Sequence, residues 1–138
     1  MISTRGRYAI RFMIDLAEQP DDTPVTLEGT AQRQDISKKY LEIVVKLLVK
    51  AKLVKGTSGK GGGYRLLRAP EEYTVREILQ ATEEAMYTVA CLNPDAEACP
   101  RSEFCKTLPM WKNFDKLVND YFSNITIADL KDGNIKEL

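Results

Sequence analysis

The sequence predicts a mainly α-helical fold with a small β-wing: a winged helix-turn-helix followed by a long C-terminal helix. Three observations predict it. A short helical pattern, Leu27–Gln34, is separated from a longer basic one, about Lys38–Ala51, by only Asp35-Ile36-Ser37. Two helices joined by so short a turn form a helix-turn-helix, a motif whose second helix enters the DNA major groove. Two short apolar–basic segments, Leu53-Val54-Lys55 and Tyr64-Arg65-Leu66, then flank the glycine-rich run Gly56–Gly63 as a hairpin does. Near the C-terminus, Trp111, Phe114, Val118, Tyr121, Phe122 and Ile125 fall at three- and four-residue steps, the period of a helix face.

Each element has its own signals. The first helix covers Ser3–Gln19. Tyr8, Ile10, Met13, Ile14 and Ala17 form its broad apolar side, and Arg5, Arg7 and Arg11 are basic. Asp21-Asp22-Thr23-Pro24 ends it in a loop. Val25 pairs with the wing as a short strand, and Thr26 caps the next helix. Ser37 caps the helix after the turn, because its hydroxyl accepts an orphan backbone N–H. On that helix Leu41, Val44, Val45 and Leu48 face inward, while Lys39, Ile43, Lys46 and Lys50 lie on the other side. Glycine supplies positive φ without steric cost, so the run between the strands turns sharply.

Two phosphate-binding readings of that run fail on sight. A P-loop needs Ser or Thr after its lysine, and Lys60 is followed by Gly61. A dinucleotide fingerprint counted from Gly59 needs glycine where Tyr64 stands. A plain flexible hairpin is the other reading beside the wing.

After the wing, Ala69-Pro70 and Glu71-Glu72 make a turn. Thr74 caps a helix over Val75–Thr82 with Ile78 and Leu79 in the core, and Glu83-Glu84-Ala85 leads out. Residues 91–105 hold two prolines, little periodicity and three cysteines spaced C-x₇-C-x₅-C, so they form a loop. The long helix covers about Pro109–Ser123. Its aromatic stripe suits packing within the chain or a dimer seam. The seam is the sharper reading, because the basic domain has no other obvious way to double itself. Thr126 caps a final short turn through Leu130, and the tail Lys131–Leu138 is polar. Three parts follow: residues 1–84, the winged domain; 85–107, the cysteine-bearing loop; and 108–138, the long helix and tail.

Composition sets bounds. With 138 residues, 43% hydrophobic and 29% charged, the chain reads as a soluble globular unit. No segment approaches the roughly 20 apolar residues of a membrane helix. The N-terminus lacks the apolar core of a signal peptide. A cytoplasmic location and no membrane partner are therefore expected. Net charge is zero but segregated: residues 1–70 carry 13 Lys and Arg against 7 Asp and Glu, and the remainder reverses those counts. Between Arg33 and Arg68 the balance is 10 basic to 2 acidic. A nucleic-acid surface has this footprint, and a solvated basic face is its bland counterpart. Three cysteines argue against a disulfide framework and toward metal or redox chemistry. The absence of histidine excludes every histidine-based triad, base or ligand. With no activated serine motif or nucleotide loop either, no enzyme is expected.

Several motifs together resemble one family. They are Tyr8-Ala-Ile-Arg11, Ile36-Ser-Lys-Lys-Tyr-Leu-Glu42, Gly59-Lys-Gly-Gly-Gly-Tyr64, three cysteines before Trp111, and Asn124-Ile-Thr-Ile-Ala-Asp-Leu130. Over essentially the whole chain they look like the IscR-type regulators, the bacterial Rrf-two family that also holds NsrR, CymR and RirA. The resemblance implies a homodimeric winged-helix repressor or activator on a palindromic double-stranded DNA operator. It places Ser37, Lys38, Lys39 and Tyr40 at the DNA-facing end of the recognition helix, with Lys46 further along and Ser58 and Lys60 on the wing. Glu42 matches a position that reads bases in some members, and a carboxylate can accept from cytosine N4. An i,i+4 pairing with Lys46 is the alternative there. Trp111, Phe114, Val118, Tyr121 and Phe122 would line the dimer seam.

The same resemblance makes Cys91, Cys99 and Cys105 ligands of an iron–sulfur cluster, a two-iron two-sulfur cluster ahead of a four-iron one. The histidine that some members place three residues after the last cysteine is Leu108 here. The N-terminal acid of others has no counterpart in residues 1–14. The fourth ligand stays open among Asp95, Glu97, Ser102, Glu103, Thr107 and a bound small molecule. Structural zinc and redox-active thiols are the other readings of these cysteines. The implied task is control of iron–sulfur cluster assembly genes. Sensing of nitric oxide, iron or cysteine status is an alternative within the family. A protein-interaction module that keeps the fold without reading DNA is the alternative outside it.

Overall fold

A computed structural model describes residues 2–20, 23–83 and 85–138. Met1, the expected loop positions Asp21 and Asp22, and Glu84 at the expected exit lie outside the described residues. The described chain is mostly helical with one two-stranded antiparallel sheet.

Helix α1 (Thr4–Glu18) opens on Ser3, whose hydroxyl accepts from the Gly6 backbone N–H at 3.1 Å. Its buried seam is Ala9, Phe12, Met13 and Leu16, with Tyr8, Ile10, Ile14 and Ala17 packed along the flanks. The expected apolar side captured the flanks and only Met13 of the seam. The reason is that α1 is covered on many sides, by the helix-turn-helix, the wing and two later helices. A helix enclosed in this way has no single polar face to mark its seam.

Helix α2 (Leu27–Gln34) is capped by Thr26, and α3 (Lys38–Lys50) by Ser37, each accepting from a backbone N–H at 3.1 Å. Between them Asp35 takes the left-handed conformation at φ 52° and Ile36 is buried. Aspartate tolerates that conformation better than a branched residue does. The turn thus reverses the chain while its apolar residue anchors it in the core. Leu41, Val44, Val45 and Leu48 are buried, as their spacing predicts.

Strands β1 (Val54–Thr57) and β2 (Gly63–Leu66) pair with Val54 opposite Leu66 and Thr57 opposite Gly63. The strands therefore reach into the glycine run, beyond the expected segments. Glycine weakens a strand without forbidding one, and here pairing wins over the breaker signal. Val25 extends the sheet, exchanging two 2.8 Å backbone bonds with Tyr64. Gly63 permits this approach: a Cβ there would lie 2.6 Å from the Val25 carbonyl oxygen.

A 3-10 turn (Pro70–Glu72) leads to Tyr73 and α4 (Val75–Thr82), capped by Thr74 as its sequence predicts. After the cysteine loop, α5 (Leu108–Ser123) packs against α4, yet none of its residues is buried. The chain then returns. α6 (Ile127–Asp132) packs on α1, and Ile127 is fully buried. Backbone bonds from Val75 N–H to the Ile125 carbonyl (2.9 Å) and from Ile127 N–H to the Tyr73 carbonyl (3.0 Å) close the return.

Tyr73 is the junction of these parts. Its ring is fully buried. Its hydroxyl accepts from the backbone N–H groups of Leu67 (2.9 Å) and Arg68 (3.1 Å) and donates to the Leu53 carbonyl (2.7 Å). Tyr73→Phe keeps the ring and strips three backbone groups of their partner. It is expected to cost about 1–3 kcal/mol, read as a lower urea midpoint at unchanged m-value.

Candidate nucleic-acid interface and cysteine loop

The expected DNA-facing residues lie on the outward side of α3 and at the wing tip. Ser37, Lys38, Lys39, Glu42, Lys46, Ser58 and Lys60 are exposed. Lys38 is ion-paired with Glu28 of α2, and the hydrogen bond between them raises the lysine's pKa and lowers the carboxylate's. Both groups face solvent, so the pair is weak and Lys38 can be exchanged to another anion. Tyr40 is half-buried. Its ring packs edge-on against Tyr8 at 5.3 Å, and the Arg11 guanidinium lies over that same Tyr8 ring. Tyr40 thus also seats α3 on α1. Among the described residues the ion pairs do not include one between Glu42 and Lys46, leaving the carboxylate open to solvent.

The cations divide into two sets. Arg33, Lys38 and Arg68 pair with Asp15, Glu28 and Glu77. Lys39, Lys46, Lys50, Lys52, Lys55, Lys60 and Arg65 have no such partner among the described residues. Lys55 and Arg65 sit directly opposite each other in the wing. Like charges across strands repel, and an external anion such as phosphate relieves that cost.

The orientation of α2 depends on Asp15, which no sequence motif marks. Asp15 is 1% exposed. Its carboxylate accepts from Arg33 at 2.9 and 2.8 Å and from the Thr30 hydroxyl at 2.7 Å. Burial pushes its pKa up, but the hydrogen bonds from Arg33 and Thr30 prevail and hold it below the ordinary value. The available signal was one acid inside the apolar run Met13-Ile14-Asp15-Leu16.

The cysteine loop contrasts with this core. Cys91 lies in a 3-10 turn (Ala90–Leu92); Cys91 and Cys99 are exposed and Cys105 half-exposed. Within residues 93–104 the backbone bonds are local, such as Ser102 N–H to the Cys99 carbonyl at 2.9 Å and Phe104 N–H to the Arg101 carbonyl at 2.9 Å. The Thr107 hydroxyl lies 3.3 Å from the Cys105 sulfur and lowers that thiol's pKa. Among the described residues no three His, Cys, Asp or Glu side chains converge as a metal-holding group. In kind, the donors fit iron: three soft thiols, accessible, on one segment restrained only locally.

Helix α5 shows two apolar sides. Trp111, Val118 and Phe122 are half-buried. Met110, Phe114, Leu117 and Tyr121 form an outer stripe, with Leu117 69% exposed. Met110 and Leu117 are not aromatic, so the aromatic period alone does not mark them. Polar contacts fix the helix on its inner side. Arg76 Nε donates to Asn119 Oδ1 at 3.1 Å, Asn119 donates to the Asp115 carbonyl, and the Thr88 backbone N–H donates to Asp115 Oδ1 at 2.8 Å. These bonds tie α4, α5 and the root of the cysteine loop together.

Comparison with known proteins agrees with this architecture. The family described as "Rrf2: Iron-dependent Transcriptional regulator" matches residues 2–133. Protein rrf2 of Nitratidesulfovibrio vulgaris is 36% identical over 129 residues, 94% of this chain and 85% of that protein. The HTH-type transcriptional regulator IscR of Erwinia tasmaniensis is 34% identical over 129 residues, covering 94% and 77%. Among solved structures, CymR, the global cysteine regulator of B. subtilis, superposes with a TM-score of 0.77 at 32% identity over 96% of each chain. IscR of T. potens does so with 0.76 at 31% identity, over 98% of this chain and 88% of that one. The chain belongs to the Rrf2 family of transcriptional regulators, and such regulators are not enzymes.

Removing the buried carboxylate should loosen the helix-turn-helix from α1. Asp15→Ala is expected to cost about 1–3 kcal/mol at neutral pH, because Thr30 and Arg33 lose their acceptor. The folded pKa is depressed, so the stabilisation is full above the ordinary carboxylate value of about 4 and fades as pH falls through the lowered value. Urea midpoints of the two proteins should therefore converge on acidification.

Proposed function

We propose that this regulator acts as a homodimer on a palindromic DNA operator, with an iron–sulfur cluster held by Cys91, Cys99 and Cys105 setting its affinity or choice of DNA. The observation that carries the reading is the pairing of two surfaces in one chain. Cations outside the ion pairs of the described residues crowd α3 and the wing, and three accessible thiols share the loop between α4 and α5. The family description and the IscR relatives support it. Control of cluster-assembly genes is the task these relatives suggest.

Within this reading Lys39, Lys46 and Lys60 meet phosphates, while Glu42 accepts from a base edge. Ser37 holds the end of α3, Lys38 leaves Glu28 for phosphate, and Ser58 offers a hydroxyl at the wing. The outer stripe of α5, Met110, Phe114, Leu117 and Tyr121, packs against its copy, with Trp111, Val118 and Phe122 along its edge. When bound, a cluster supplies a centre sensitive to oxygen and nitric oxide. The Thr88–Asp115 bond ties the root of that loop to α5, so a shift of the loop's conformation biases the setting of α5 and, through the dimer, of the DNA-binding surfaces. Direct sensing by the thiols is the second reading. It is favoured by the lowered Cys105 thiol and by likeness to a regulator named for cysteine.

Anaerobic reconstitution tests the cluster. Wild type should take up iron and sulfide and gain visible absorption, and each of Cys91→Ala, Cys99→Ala and Cys105→Ala should lose them. A colourless wild type would leave the thiol and zinc readings. DNA contacts separate in titrations across salt. Lys46→Ala should weaken binding to all sequences and lower the salt slope by about one. Glu42→Ala should instead change discrimination between operators by about 1–3 kcal/mol; equal losses on operator and random DNA would refute base readout.

A further inference from the structure

We infer that Ile43 is a specificity-determining residue, reading the C5-methyl group of a thymine in the major groove. The inference rests on the DNA-binding reading above and deepens it to one base contact. Ile43 lies in the N-terminal half of α3, on the side opposite Leu41, Val44, Val45 and Leu48, and is 50% exposed. Lys39 precedes it by one turn and Lys46 follows it by one; both are exposed and outside the ion pairs of the described residues. Glu42 is its neighbour on the same outward surface.

Single exposed apolar residues are ordinary on protein surfaces. Position is what sets this one apart. The opposite side of α3 is spent on the core, so the helix has only this surface to lay in a groove. As Lys39 and Lys46 draw it onto the phosphates, the side chain between them is carried to the base edges, where the N-terminal part of a recognition helix makes its contacts. Isoleucine has neither donor nor acceptor, so the polar base edges and phosphates give it no hydrogen bond. The major groove exposes one apolar group, the thymine methyl. A β-branched side chain in a helix holds one χ1 rotamer, so its methyl groups meet that target in a fixed shape. Val49 is also exposed, at 41%, but lies in the last turn of α3, away from the end that reads bases.

The test uses the full-length protein. An operator is first selected from a randomised duplex pool. Each of its thymines is then replaced singly by deoxyuridine, which removes only the methyl group. For wild type, one replacement per half-site should weaken binding about three- to five-fold, the scale of one buried methyl. Ile43→Ala should bind the parent operator weaker by a similar factor and be indifferent to that same replacement. Wild type indifferent to every deoxyuridine, or Ile43→Ala still sensitive at the same thymine, would overturn the assignment. A pool that does not enrich would instead refute DNA reading itself, and this inference with it. The scan on wild type alone remains decisive should the variant fold poorly.

Discussion

A phenol buried among three backbone groups holds the winged domain together. Leu53 ends the link from α3 into the wing, and Leu67 and Arg68 follow the second strand. The Tyr73 hydroxyl serves all three. A buried backbone group without a partner is costly, so these segments cannot shift independently. The same residue's carbonyl accepts from Ile127, which brings α6 back onto α1. One side chain and its own peptide thus set the wing, α4 and α6 in a single frame. The position of the wing relative to α3, and hence the shape offered to a groove, follows from that frame.

The frame ends abruptly at α4. Beyond it the cysteine loop has mainly local bonds, and α5 has no buried residue. Segments with few buried contacts open at lower free energy than the core does. Yet α5 is fastened from its middle to its C-terminal end: Asp115 holds the Thr88 backbone, Asn119 accepts from Arg76 of α4, and the return through Ile125 and Ile127 bonds to Val75 and Tyr73. A change at the Thr88 end of the loop therefore bears on the middle of α5, through Asp115.

Local grammar was legible in the sequence. Thr26, Ser37, Thr74 and Thr126 are all caps in fact, each accepting from the backbone N–H three residues on. The inward face of α3 follows its period, and the charge run marks the basic surface. The residues that pin distant segments left no comparable trace. Asp15 and Ile127 act through distant partners, and Tyr73 joins nearby Leu67 and Arg68 to distant Leu53 and Ile127; nothing adjacent to them announces those distant partners. Strand pairing likewise overrode the breaker signal of Gly56 and Gly63. At the candidate site, composition showed where cations gather but not which are already engaged. The Lys38–Glu28 pair crosses the turn and emerges only once α2 and α3 are placed.

That distinction explains how a chain of zero net charge can present a basic surface. At physiological ionic strength the screening length is about 8 Å. The acidic C-terminal half therefore scarcely weakens the field a few ångströms above α3. What matters is local neutralisation, and it is selective. Asp15 takes Arg33 at the junction with α1, Glu28 takes Lys38 at the edge of the turn, and Glu77 takes Arg68 behind the wing. Lys39, Lys46, Lys50 and Lys60 remain outside those pairs. The acids of the winged domain thus quiet the cations that hold the fold and leave outward those that can meet phosphate. An anionic partner would then be recognised by the spacing of a few cations that stand outside the ion pairs of the described residues around Glu42 and Ile43, not by overall charge.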